Sequence, residues 1–133
     1  MSDDGFLRRF NEVVDAAGGR TPQWPSHLLE LWEGLVQECE DGYTSTIYEY
    51  ENDLAARTII EAVLTDPQLS HVSDLEYFRQ QVAALDDRFK AACRTDVRIG
   101  KPGAPWWAQA VPCGAEGDFA EDLQRLYGIG PTD

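Results

Sequence analysis

The run from Leu75 to Ala92 constrains the fold more than any other part of the sequence. Leu75, Phe78, Val82, Leu85, Phe89 and Ala92 recur at spacings of three and four, which aligns them along one side of an α-helix. Just ahead, Ser73-Asp74-Leu75-Glu76 reads as a capping box, with Val72 and Tyr77 placed to staple the first turn. A helix with such a stripe buries it along a seam with other helices. The rest of the chain must supply them.

It does so by the same periodicity. Phe6, Phe10, Val13, Val14 and Ala17 form one face of a first helix, and Gly18-Gly19 supplies its left-handed stop. Ser26 is the expected N-cap of a second helix, in which Leu28, Leu31, Trp32, Leu35 and Cys39 make a stripe ending near Gly42. Residues 45–64 differ. Ile47, Tyr50 and Leu54 share a face, whereas Ile59, Ile60 and Val63 fall nearly opposite. That pattern predicts a central helix packed by different neighbours along its length, or else a break near Asn52. A last helix opens at the capping-box pattern Asp118-Phe119-Ala120-Glu121, buries Phe119, Leu123 and Leu126, and stops at Gly128. Residues 94–117, which include GKPGAPWW and VPCG, read as a long irregular segment. No stretch sustains period-two alternation, and Val97–Ile99 is the one place for a short strand. The expectation is all-α: a single globular domain over residues 1–133, of about five helices, with a long Pro/Gly/Trp-containing loop before the last. A chain of 133 residues buries roughly two-thirds of its unfolded surface and needs no staple to fold.

Three cysteines, Cys39, Cys93 and Cys113, share no CxxC spacing, so neither a disulfide framework nor a zinc knuckle is expected. Cys39 and Cys93 fall on apolar helix faces as small hydrophobes; Cys113 lies in the loop. No apolar run approaches the roughly 20 residues of a membrane span. The start MSDDGFLRRF lacks the basic and apolar regions of a signal peptide, which makes the cytoplasm the expected location.

Net charge is −13, which disfavours nucleic acid and anionic membranes as partners. The charge is also polarised. From Glu30 to Glu61 nine acids stand against Arg57 alone, a local net of −8, whereas Arg88, Lys90, Arg94, Arg98 and Lys101 against Asp96 give +4. Within the acidic third, Glu49 and Asp53 share a helix face with Arg57 one turn further on, and Glu51 does not. The plain reading is a solvated ladder in which Arg57 neutralises Asp53. The chemical reading adds Glu30 and Glu33, an E-x-x-E pair on the second helix, and lets two helices hold Mg²⁺ between four carboxylates. That arrangement resembles the all-α nucleotide pyrophosphohydrolases of the MazG type, in which an E-x-x-E helix is followed by an E-x-x-D helix. The resemblance implies metal-dependent hydrolysis of a nucleotide. Here the second pair is spaced E-x-x-x-D.

Other catalytic patterns are missing. His27 and His71 follow serines at helix starts, and the sequence contains no G-x-S-x-G, H-E-x-x-H, Walker or G-x-G-x-x-G motif. No cofactor, metal ligand or catalytic residue is therefore assigned. Trp106 and Trp107, adjacent in what reads as extended chain, point opposite ways, so that one ring can pack inward while the other stays at the surface. The plain reading is that one or both rings pin the loop over the helices; the functional one is that the outer ring anchors a partner. Arg94, Arg98 and Lys101 are expected to neutralise the acidic helices. The favoured expectation is a non-enzymatic binding protein of immunity or antitoxin type. It would capture a basic protein partner by electrostatic steering through Glu30, Glu33, Glu49 and Asp53, with Trp106 or Trp107 as anchor. The alternatives are the Mg²⁺-dependent phosphohydrolase and a self-associating structural protein whose third and fourth helices form a dimer seam.

Overall fold

A computed structural model describes residues 3–131 of the chain. It is all-α: α1 (Asp3–Ala16), α2 (Pro25–Asp41), α3 (Ile47–Thr65), α4 (Ser73–Ala91), a single turn α5 (Trp106–Gln109) and α6 (Gly117–Tyr127). Among the described residues there is no strand. Val97–Ile99 forms none, and the chain pairs instead at an isolated antiparallel bridge between Cys93 and Pro112.

The opposed apolar faces of residues 45–64 have the cause expected of them. The third helix runs unbroken through Asn52 and packs against α1, α2, α5 and α6. Its buried residues, Ile47, Tyr50, Leu54, Ala56, Arg57, Ile60 and Val63, lie on several sides of the cylinder. The stripe of α4 buries Leu75, Phe78, Val82, Leu85 and Phe89, with the helix packed on α2. Phe78 meets Phe10 of α1 edge-on at 6.1 Å, and Phe89 meets Trp32 of α2 at 4.9 Å. Each fully buried side chain of this size contributes about 2 kcal/mol by leaving water. The apolar face of α4 is thus used inside the chain, where the self-association reading placed a dimer seam.

The stripes are right in the main and wrong at two edges. Leu31 and Leu126, expected inside, are exposed. Helix starts differ more. Chain entering α2 turns helical at Pro25, so Ser26 lies inside the helix and caps nothing. Ser73 likewise falls inside α4 and Asp118 inside α6, neither start has a side-chain cap, and Tyr77, expected to staple against Val72, is largely exposed. Among the described helix starts, the side-chain cap that forms is at α3, where Thr46 Oγ1 accepts from the Glu49 backbone N–H at 3.2 Å. Asp122 of α6 completes that end by accepting the Ile47 N–H at 3.0 Å. This bond, and then Arg125, hold the Asp122 carboxyl below the usual range.

Two glycines shape the exit from α1, one by its backbone angle and one by close approach. Gly18, at φ +90°, turns the chain out of α1 as expected, and a Cβ on Gly19 would lie 2.7 Å from Val14 Cγ1 and 3.0 Å from Ile59 Cδ1. The connector is thereby pressed onto α3, where it forms one wall of a groove between α2 and α3.

Candidate functional site

Helices α2 and α3 and the α1–α2 connector enclose an open groove of about 660 Å³. Its floor is apolar and small-sided, with Leu31 and Gly34 from α2 and Ala55, Ala56 and Ile59 from α3; its rim carries Glu30, Glu38 and Asp53 against Arg20 and His27. Nothing lies within 4 Å of where a Cβ on Gly34 would be, so the floor is open at mid-helix. Glu30, Gly34 and Glu38 form an i, i+4, i+8 row, which α-helical geometry places along one edge.

Asp53 is fixed from below. The hydroxyl of fully buried Tyr43 donates to Asp53 Oδ2 at 3.0 Å, and burial, then this bond to a carboxylate, push the phenol far above its ordinary range. Partial burial, and next the charge of Asp53, raise the Glu38 carboxyl above its usual value. Two carboxylates from different helices thus repel across the groove, and a cation placed between them is attracted to both.

Of the sequence-predicted residues, the structure brings Glu30 and Asp53 to this groove and sends the others elsewhere. Glu30 is exposed, 3.8 Å from His27 Nδ1. Glu33 turns toward α4, within electrostatic reach of Arg88. Glu49 lies exposed in the first turn of α3, its backbone engaged by Thr46. The four do not converge, and among the described residues no three His, Cys, Asp or Glu side chains are grouped to hold a metal ion. Glu38 is the site residue the sequence reading passed over. The glycine midway between Glu30 and Glu38 was the available signal.

The expected ladder from Asp53 to Arg57 does not form. Arg57 is 4% exposed and turns inward, donating through Nε and Nη2 to the two oxygens of Asp86 on α4, both at 2.9 Å, and through Nη1 to Glu61 at 3.0 Å. Trp32 Nε1 donates to the same Asp86 at 3.1 Å. The guanidinium carbon lies 4.4 Å from the centre of the Trp107 ring, whose own N–H reaches Thr58 at 3.1 Å.

One indole inside and one outside is what the sequence led us to expect, but the means differ. The pair begins the helical turn α5 rather than an extended strand. Trp107 is 5% exposed and Trp106 36%. Trp106 packs on Phe89 and carries Lys90 Nζ 4.5 Å above its ring, beside a groove of about 420 Å³ that Lys90, Arg94 and Arg98 also line. The basic run meets the acidic helices at Arg88, which pairs with Glu40 at 2.7 Å. Arg94 instead clasps Asp96 and the Gly130 carbonyl. Of the nine acids between Glu30 and Glu61, Glu40 and Glu61 are the two that pair with arginines of this chain among the described residues.

Cys39 and Cys93 are buried and Cys113 exposed. Burial pushes both inner thiols up, that of Cys93 to about 12, as inert core groups require. Among the described residues, no helix is long and apolar enough to cross a membrane. Comparison with protein-family models, curated proteins and solved structures finds no match.

Proposed function

We propose that this chain is a non-enzymatic binding protein, of immunity or antitoxin type, that captures a basic protein in the groove between α2 and α3. The observation that carries the reading is the Glu38–Asp53 pair: two carboxylates from different helices lining one groove, where burial, and then the charge of Asp53, raise the Glu38 carboxyl. An amphipathic basic segment offers the complement, with apolar side chains for Leu31 and Ala55 and cations for the rim. The three acids that line the groove, Glu30, Glu38 and Asp53, carry no arginine or lysine pair among the described residues, leaving a field that steers a positive surface inward.

The partner is to be isolated on the immobilised chain and its affinity measured by calorimetry across a salt series. A basic partner is expected, with binding weakened about tenfold or more between low and high salt. Replacing Glu38→Gln together with Asp53→Asn should slow association and flatten that salt dependence. Affinity indifferent to ionic strength, or to the double variant, overturns the reading.

A further inference from the structure

A second groove, of about 450 Å³, opens where the N-terminal ends of α2 and α4 meet α1. Its walls are two of the most exposed aromatic side chains of the molecule, Trp24 at 57% and Tyr77 at 67%, and its floor includes Phe6, Leu29 and Phe78. The Tyr77 hydroxyl accepts from Gln81 Nε2 at 3.3 Å, which helps hold the ring upright. Asp74 is the charged residue in the lining, and no lysine or arginine is present there. Among the described residues Asp74 makes no ion pair.

Faces of aromatic rings attract cations that carry an apolar stem, and a carboxylate at the rim selects for positive charge. Arginine fits this combination best, because its flat guanidinium stacks on an indole while pairing with a carboxylate through two parallel N–H groups. We infer that the Trp24–Tyr77 groove receives an arginine side chain of a basic protein partner, stacked between the rings and paired with Asp74. The partner's identity rests on the proposed function; the recognition of an arginine does not. The two grooves flank the same first turns of α2, with Ser26 and Leu29 on this side and His27, Glu30 and Leu31 on the other. One partner laid over that end of α2 engages both.

Nα-acetyl-argininamide, titrated into the ¹⁵N-labelled chain, tests the inference without the partner. The Trp24 indole N–H resonance, assigned through Trp24→Phe, should shift saturably, while the uncharged Nα-acetyl-norleucinamide binds about tenfold more weakly. Asp74→Asn, a surface change that leaves the core intact, should weaken the arginine probe by about fivefold. An equal response to both probes, no effect of Asp74→Asn, or no shift at Trp24 overturns the inference. With the isolated partner, perturbation at Glu38 and Asp53 but not at Trp24 overturns it as well and leaves the α2/α3 reading standing.

Discussion

Asp53 and Arg57 stand one turn apart on α3 and meet opposite fates. Arg57 faces a helix that supplies Asp86, the short turn α5 that supplies the Trp107 ring, and Glu61 on its own helix. Its charge is spent inside the molecule. Asp53 faces α2, which brings another carboxylate, and Tyr43, which supplies one hydrogen bond. Its charge is left over. Ions satisfied internally tie elements together, because a buried charge deprived of its partner is strongly destabilising. Ions left unsatisfied at a surface cost the fold little and remain available to another molecule. The same helix therefore serves as a bolt at Arg57 and as the wall of an open groove at Asp53.

The closed side of that contrast breaks most severely at Asp86→Ala. It strips Arg57 of its two-point partner and Trp32 of its acceptor, and should lower unfolding free energy by about 3 kcal/mol in urea. A loss under about 1 kcal/mol would mean that Glu61 alone satisfies Arg57. Next in size is Asp66→Asn. Asp66 receives Arg9 through two bonds, at 2.6 and 3.1 Å, and caps the Leu69 N–H at 3.1 Å, so its removal should cost about 2 kcal/mol at neutral pH. Arg9 above all, and then the Leu69 N–H, hold the Asp66 carboxyl below its usual range. Its stabilisation is therefore present above the unfolded carboxylate pKa of about 4 and lost as pH falls through the lower folded value. Thermal melts between neutral pH and pH 2 should show that loss in the parent and less of it in Asp66→Asn.

The open side gives the smallest effect and the opposite sign. The Glu38 carboxyl is raised, so its contribution is most favourable below the unfolded pKa and declines as pH rises through the folded one. Glu38→Gln should leave the protein as stable or more stable at neutral pH, by at most a few tenths of a kcal/mol at so accessible a position. Measurable destabilisation by Glu38→Gln would place that carboxylate in a favourable pair and erase the difference between the two regions.

How far the sequence was legible follows the range of the interactions involved. The stripe of α4, the double-faced pattern of α3 and the stops at Gly18, Gly42 and Gly128 are statements about residues a few positions apart, and they hold. Caps were misplaced by a residue or two because α2, α4 and α6 begin after Trp24, Val72 and Glu116 without any side-chain cap, so the start depends on how the incoming chain packs. The short turn α5 escaped notice because four residues carry no periodicity. Glu33 shares its motif with Glu30 yet rotates toward Arg88, while Glu38, eight residues on, returns to the groove.

By itself, the sequence determined that this chain folds as packed helices with α3 in the middle and an excess of negative charge across its central third. Backbone periodicity and composition are local properties, read without knowing any neighbour. Only the tertiary structure decided which charges cancel and which remain. An arginine beside an aspartate on one helix carries no mark of whether another helix will bring it a carboxylate, since that depends on contacts between residues such as Arg57 and Asp86, 29 positions apart.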